Sequence, residues 1–224
     1  MITPLGERTT SEHARNSDRI LLVPIGSFEQ HGPHLPLTTD TQVAIAVCTD
    51  VALNNDVDIA PALPYSASGE HAGFAGLLSL GTEVTASLLT ELIRSARGSW
   101  RGIVVVSGHG GNAEALERVA RCADYEGDLV RVWLPSEVGG DPHAGATETS
   151  VMMTIAPDQV GELPEGVALK DDWLLVARRE GVAGVSPSGV LGKPQLASTD
   201  QGWMTRRRWC GEVEALVREI RGGV

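Results

Sequence analysis

Two short apolar segments limit the possible folds of this chain more than any other feature of its sequence. Ile20–Ile25 (ILLVPI) and Gly102–Ser107 (GIVVVS) are apolar at nearly every position, without the alternation that a half-exposed strand shows. Continuous apolar strands are typical of parallel sheets that are covered on both faces. Two further strands are predicted over Val57–Pro61 and Leu129–Leu134.

Helices are predicted between and after these strands. Apolar residues at helical spacing indicate helices over Thr41–Asn54, Glu83–Arg97, Asn112–Tyr125, Glu148–Ile155 and Asp200–Arg221. Strands that alternate with helices predict an α/β fold, a mainly parallel central sheet between two layers of helices. Gly181–Gly202 is rich in Gly, Pro and Ser and is predicted to be a long surface loop, which in a compact domain is usually functional. Without a repeat or linker, one domain over residues 1–224 is expected.

The charge balance of the chain restricts its partners. The 18 Lys and Arg residues and 29 Asp and Glu residues give a formal net charge of −11. A protein this acidic gains little from neutralising phosphates, so neither nucleic acid nor an anionic membrane is expected as a partner. Its three cysteines are scattered, and its N-terminus is polar with no signal-peptide pattern. A cytoplasmic location is therefore expected.

Residues that carry chemistry are concentrated in three segments, each of which follows a predicted strand: Gly26–Asp40, Ser107–Asn112 and Asp141–Ser150. Five of the six histidines lie in these segments or in the pair Glu70-His71. The carboxyl ends of parallel strands form the ligand crevice of open α/β sheets, so the segments are expected to meet there.

The first segment has the composition of a metal site. Glu29 and His31 are two residues apart, so their side chains project from the same face of an extended backbone. Pro33 and Pro36 prevent a helix through this stretch. Asp40 follows at the start of a predicted helix, where it is either a third metal ligand or the N-cap of that helix.

The other two segments add further candidate ligands. His109 precedes Gly110 and Gly111, whose backbone N–H groups could face a developing oxyanion; the alternative is a packed turn histidine. Glu148 is either a ligand or a carboxylate that stabilises the first turn of its helix. The three segments together offer the ligand count of a two-metal hydrolase: His31, His109, Glu29, Asp40 and Glu148.

Four other classes of protein are less well supported: a serine hydrolase, a dinucleotide-binding protein, a nucleic-acid-binding protein and a non-catalytic binding protein. No GxSxG pattern surrounds Ser107, and the glycines after it lack dinucleotide-binding spacing. Arg206–Arg208 fits a solvated helix face or a salt-bridge patch better than a nucleic-acid site in so acidic a chain. A non-catalytic binding protein on a hydrolase scaffold would be expected to lack a ligand, and none of the five is missing.

The three segments resemble the motifs of the creatininase family. The resemblance covers residues from about 20 to 202, and its most specific part is Val23–Asp40 (VPIGSFEQHGPHLPLTTD). The pair Glu70-His71 and the segment Ser186–Gly192 (SPSGVLG) resemble further motifs of the family. Membership implies an α/β/α sandwich that hydrolyses an amide with two divalent metal ions, iron, zinc or manganese, and that assembles into homo-oligomers.

The resemblance also implies a role for each candidate residue. Glu29, Asp40 and His109 would hold one metal. His31, Asp40 and Glu148 would hold the other, with Asp40 bridging the two. His143 would carry a proton beside the centre, and His71 would face the substrate pocket.

One departure from the family pattern bears on the substrate. Members that hydrolyse creatinine have a glutamate two residues after the histidine of the turn, where this chain has Gly111. The carboxylate ligand is therefore expected to be Glu148. The small size and the His-Gly-Gly-Asn turn resemble most the members that release a C-terminal Val-Tyr dipeptide from a modified precursor peptide. Creatinine or a pyrimidine formamide is the alternative substrate.

Overall fold

A four-stranded parallel sheet forms the centre of the computed structural model, which describes residues 5–14, 18–135 and 141–222. Its strands are β1 (Ile20–Ile25), β2 (Val57–Ile59), β3 (Gly102–Ser107) and β4 (Val130–Trp133), in the order β2-β1-β3-β4. β1 pairs with β3 along its whole length, from Ile20 opposite Gly102 to Ile25 opposite Ser107. The bounds predicted for β1 and β3 are confirmed, whereas β2 and β4 are shorter than predicted.

The helices of the described residues are α1 (Thr10–His13), α2 (Thr39–Asn54), α3 (Gly81–Ala96), α4 (Ala113–Glu126), α5 (Ala146–Ile155), α6 (Trp173–Glu180), α7 (Val182–Val185) and α8 (Thr199–Gly222). Five of them, α2, α3, α4, α5 and α8, lie close to predicted helices, whereas α1, α6 and α7 were not predicted. Short 3-10 turns occur at Leu5–Glu7, Gly69–His71, Gly110–Asn112, Pro157–Gln159 and Pro194–Leu196. None of the helices within the described ranges has the length and apolar character needed to cross a bilayer.

Both faces of the sheet are buried, as the continuous apolar strands predict. Ile20 and Leu22 of β1 face a core that includes side chains of α2, α5 and α8, among them Val47, Met152 and Trp209. Leu21, Val23 and Ile25 point to the opposite core, which is formed with α3 and α4. Alternate residues of one strand thus enter different cores. The predicted three-layer α/β/α sandwich with a mainly parallel sheet is confirmed.

The segment predicted as a long surface loop, Gly181–Gly202, differs from its prediction. It contains α7, a 3-10 turn at Pro194–Leu196 and the start of α8. Within it, Ser186, Val190 and Leu191 are buried. Its middle is held by a two-way pairing in which the Leu191 N–H donates to the His143 carbonyl at 2.8 Å. Composition indicated irregular backbone, but burial against the rest of the domain orders this segment.

The prediction of one domain over residues 1–224 covers some residues outside the described ranges. It remains a prediction.

Candidate metal centre

The predicted ligands come together at the carboxyl ends of β1 and β3. Asp40, in the first turn of α2, lies between His31 and His109. Nε2 of His31 is 3.0 Å from Oδ1 of Asp40, and Nδ1 of His109 is 3.1 Å from its Oδ2. His109 Nε2 lies 3.3 Å from Oε2 of Glu29, and His31 Nε2 lies 3.9 Å from Oε2 of Glu148. Segments far apart in sequence therefore share one buried cluster.

Asp40 does not cap its helix. α2 begins at Thr39, its N-cap residue is Thr38, and no side chain hydrogen bonds to the cap. The carboxylate instead accepts a hydrogen bond from the Ser27 hydroxyl at 2.6 Å and directs one oxygen to each histidine. The capping alternative is therefore wrong.

The two histidines beside Asp40 are held by backbone carbonyls. Nδ1 of His31 donates to the carbonyl of Glu29 at 3.2 Å, and Nε2 of His109 donates to the carbonyl of Ala67 at 3.0 Å. The nitrogen that faces Asp40 is therefore the one left with a lone pair in the uncharged ring. Histidines that ligate metals are typically oriented by a hydrogen-bond acceptor on the other nitrogen. A lone pair facing a carboxylate at this distance requires a cation or a proton between them.

The electrostatics of the cluster favour positive charge. Burial lowers the pKa of His31, but the charge and hydrogen bond of Asp40 outweigh it and raise the pKa to about 9. Burial likewise opposes the shift at His109, whose pKa is raised well above its usual value by the charge of Glu29 and hydrogen bonds to Asp40 and Glu70. The pKa of Asp40 is held well below its usual value, against burial, by the charge of His31 and by hydrogen bonds with both histidines.

Glu29 provides the strongest sign that the cluster is built for a cation. The residue is 0% exposed, and neither oxygen of its carboxylate has a hydrogen-bond partner among the described residues. Ring nitrogens of His71, His109 and His143 approach these oxygens to 3.0, 3.3 and 3.7 Å without meeting hydrogen-bond geometry. A buried carboxylate without hydrogen bonds is costly, so the donor set fits divalent metal ions.

Among the described residues, three groups of side chains are close enough to hold an ion. They are Glu29 with His31 and Asp40, His31 with His143 and Glu148, and Glu29 with His71 and His143. In each group the candidate ligand atoms lie within 4.8 Å of one another. The first two groups contain only residues for which the sequence predicted a role as ligand or proton carrier. The third brings in His71, which was expected to face substrate.

The position of Glu148 is compatible with both of its predicted roles. It lies in the first turn of α5, and one carboxylate oxygen accepts the N–H of Ala144 at 2.6 Å, just before that helix. The same oxygen faces His31. Its side chain is partly exposed, unlike that of Glu29, so it lies at the solvent side of the cluster.

His143 and His71 form the wall beside the cluster. Their ring centroids are 4.5 Å apart, and the His143 ring lies 4.4 Å from that of His31. Both side chains are buried. Burial, reinforced by the positive charge of His31, lowers the pKa of His143 well below its usual value. An uncharged His143 is suited to accept a proton.

The turn after β3 is at the mouth of the cluster. Gly110 and Gly111 are exposed, and with Asn112 they form a 3-10 turn. Asn112 is the N-cap residue of α4, but its side chain makes no cap hydrogen bond; its amide nitrogen donates to Ser107 Oγ at 3.1 Å, and its amide oxygen accepts the N–H of Ala67 at 3.1 Å. The side chain of Asn112 is thus used by buried groups around β3 rather than by the first turn of α4.

Two residues at the site were given no separate role by the sequence. Gln30 is buried, and its amide contacts both His71 and His143. Glu70 directs its carboxylate toward His109, with Oε1 3.3 Å from Nε2. The position of Gln30 between two predicted ligands is the only local signal for it. Glu70 was noted only as half of the Glu70-His71 pair.

Comparisons with known proteins agree with this geometry. The family model described as creatininase, creatinine amidohydrolase, matches residues 7–217. The mycofactocin precursor peptide peptidase of Mycobacterium tuberculosis is 42% identical over 98% of this chain and 91% of its own length. The protein of the same name from Mycolicibacterium smegmatis is 44% identical over 87% of this chain and 82% of its own length.

Solved structures agree on the fold. A crystal structure of creatinine amidohydrolase (creatininase) superposes with a TM-score of 0.79 and 23% identity, covering 96% of this chain and 97% of that one. The matched family model spans all three motif segments and both cores. This chain belongs to the creatininase family.

Proposed function

We propose that this chain is a metal-dependent peptidase that removes the C-terminal Val-Tyr dipeptide from the modified mycofactocin precursor peptide. As a member of the creatininase family it is a hydrolase acting on C–N bonds. The peptide substrate is supported by 42–44% identity to the two mycobacterial peptidases over most of their length. The solved creatinine amidohydrolase, at 23% identity, supports the alternative substrate less well.

The observation that carries the chemistry is the buried carboxylate of Glu29, whose oxygens have no hydrogen-bond partner among the described residues. With Asp40 and His109 it would hold one divalent cation, and His31, Asp40 and Glu148 would hold a second. Iron, zinc and manganese all fit this set of oxygen and nitrogen ligands. When bound, such ions polarise a scissile carbonyl and make water acidic enough to react near neutral pH.

The residues around the cluster complete the proposed mechanism. His143, uncharged and beside Glu29, takes a proton from the attacking water and passes it to the leaving amine. The N–H groups of Gly110 and Gly111 lie at the exposed mouth, where they donate to the developing oxyanion. His71 faces the substrate beside His143. We also propose that the chain forms a homo-oligomer.

The test is a digest followed by mass spectrometry. The purified chain, loaded with zinc, iron or manganese in turn, is incubated with the modified precursor peptide, with creatinine and with a formamidopyrimidine. The proposal predicts release of Val-Tyr, loss of that release with a chelator, and recovery when metal is returned. A precursor peptide already shortened by two residues is the matched control and should stay intact. Turnover of creatinine or the formamide in place of the peptide would overturn the proposed substrate.

A further inference from the structure

We propose that Gln30 is a positioning residue that gives the two histidines beside the metal centre the same tautomer, so that different ring nitrogens face the centre. Its side-chain amide makes His71 present an N–H to the centre, while its backbone carbonyl makes His143 present a lone pair. The inference deepens the proposed function, on which its catalytic meaning rests. The hydrogen-bond geometry that supports it does not depend on the substrate.

The orientation of the Gln30 amide is determined by two backbone groups. Its oxygen Oε1 accepts the N–H of Gly32 at 2.7 Å, and its nitrogen Nε2 donates to the carbonyl of Gly189 at 3.1 Å. Exchanging the oxygen and nitrogen would place two donors together at Gly32 and two acceptors together at Gly189. Nε2 is therefore the atom that faces the histidines.

The amide determines which nitrogen of His71 carries the proton. Gln30 Nε2 lies 2.9 Å from Nδ1 of His71, and an amide nitrogen can only donate. Nδ1 must therefore accept, which leaves the proton on Nε2. That nitrogen lies 3.0 Å from Oε1 of Glu29. His71 thus offers a donor to the centre and cannot ligate through Nε2, although it lies near enough to Glu29 and His143 to form a candidate ligand group.

The backbone of the same residue sets the tautomer of His143. Its Nε2 lies 2.8 Å from the carbonyl oxygen of Gln30, which can only accept, so Nε2 carries the proton. The amide Nε2 of Gln30 lies 3.0 Å from the same ring nitrogen, but a ring N–H that donates to the carbonyl has no lone pair to accept there. Nδ1 is left bare, 3.7 Å from Oε1 of Glu29.

One residue therefore places a proton donor and a proton acceptor next to each other. The two rings lie 4.5 Å apart, and both are buried. A bare Nδ1 allows His143 to receive a proton from water, and an Nε2–H allows His71 to donate to a substrate oxygen. Moving the proton to the other nitrogen of either ring would leave both rings in place but remove the donor of His71 or the acceptor of His143 from the centre.

The segment that follows α7 holds this amide in place. Gly189 has a φ of +80°, and a Cβ at this position would lie 1.9 Å from Oε1 of Gln30. The carbonyl that accepts from the amide belongs to the same glycine. The segment Ser186–Gly192, which the sequence marked as a family motif, thus contributes to the site by fixing Gln30.

The experiment combines nitrogen NMR with kinetics on the zinc-loaded full chain. The ¹⁵N chemical shifts of histidine distinguish ring nitrogens that carry a proton, those with a free lone pair and those bound to a metal. In the unchanged chain we expect protonated Nε2 and bare Nδ1 in both His71 and His143. Gln30→Glu keeps the acceptor for Gly32 but replaces the amide donor by an acceptor, so it should move the His71 proton to Nδ1. The exposed Gln159→Glu makes the same chemical change at a residue that contacts neither histidine and belongs to none of the candidate ligand groups among the described residues, and it should alter neither ring.

Steady-state kinetics then measure how much the positions of these two protons contribute to catalysis. We expect Gln30→Glu to lower kcat for the peptide by about 10²-fold or more at unchanged zinc content, with a smaller change in KM. Gln30→Met, which lacks both donor and acceptor, provides the comparison should the acidic variant fold poorly; it should leave the two His71 tautomers mixed. A protonated Nδ1 on His71 in the unchanged chain would overturn the inference, as would an unaltered His71 spectrum in both variants. These NMR results are independent of whether the peptide is the substrate.

Discussion

The carboxylate of Glu70 occupies the space that a side chain at position 111 would need. A Cβ built on Gly111 would lie 2.0 Å from Oε1 of Glu70 and 2.3 Å from Nε2 of His109. Glu70 comes from the 3-10 turn Gly69–His71, and its side chain is 36% exposed. The departure from the family pattern at Gly111 is thus accompanied by a carboxylate that reaches His109 from another part of the chain.

Gly111→Ala is expected to disturb the centre through this contact. Glu70 can swing away, but the His109 ring must also move, so metal affinity should fall by about 10–100-fold, as for changes beside a ligand. The measurement is zinc titration with a competing chelator. Gly110→Ala is the matched control, since a Cβ at that position would have no atom within 4 Å among the described residues. Equal affinity in the two variants would contradict the expectation.

A second substitution separates the two contacts. Adding Glu70→Ala to Gly111→Ala removes the clash with the carboxylate but leaves the 2.3 Å contact with His109. The double variant should therefore recover only part of the lost affinity, and the effects of the two changes should not add. Full recovery would mean that Glu70 alone transmits the effect.

Asp40→Asn should deplete both metal sites, because the two Asp40 oxygens face different histidines. Replacing one oxygen by an amide removes the shared charge, so we expect turnover to fall by more than the roughly 100-fold typical of a change beside a ligand. Metal content by plasma mass spectrometry, read alongside activity, tests this. Asp158→Asn, the same substitution at an exposed residue, should retain both the bound metal and the activity. Retained metal and activity in Asp40→Asn would reject Asp40 as the shared ligand.

His143→Gln should separate chemistry from metal binding. Since His143 is assigned to proton transfer, kcat should drop by about 10²–10⁴-fold while metal content is unchanged. His13→Gln is a suitable control because His13 packs on Trp100, with ring centroids 4.4 Å apart, and belongs to none of the candidate ligand groups found among the described residues. Parallel loss of metal and activity would instead make His143 a ligand.

His34 should make the fold sensitive to mild acid. Its side chain is 2% exposed, Nε2 contacts the Thr149 hydroxyl at 2.9 Å, and burial, with the positive charge of His31, lowers its pKa from 6.5 to about 4. The unfolded chain therefore takes up a proton at His34 below pH 6.5, whereas the folded chain does so only near pH 4. The free energy of unfolding should fall across this window as pH decreases, by on the order of 2–3 kcal/mol from His34.

Urea unfolding between pH 7 and pH 4 measures that dependence. His34→Gln has no proton to gain, so its unfolding free energy should fall less steeply than that of the unchanged chain. The difference between the two curves isolates His34 from the carboxylates that titrate in the same range. Parallel curves would show that His34 does not contribute.

Much of the fold followed from the sequence, because the relevant signals are local. The uninterrupted apolar character of β1 and β3 reports burial on both faces, and the structure confirms their bounds. α2, α3 and α4 were placed within about two residues by their spacing. α6 was missed, and none of its side chains is fully buried.

The sequence by itself determined the composition of the candidate site, and the tertiary structure decided its roles. Parallel strands carry the residues that follow them to one edge of the sheet, so clustered histidines and carboxylates indicated the site before any contact was known. Which nitrogen of each histidine keeps its proton depends on acceptors and donors up to 113 residues away, as for His143 and Gln30. Hydrogen-bond partners this distant in sequence produce no periodic pattern from which they could be predicted. Only packing decides that Asp40 faces two histidines and that Glu70 lies against Gly111.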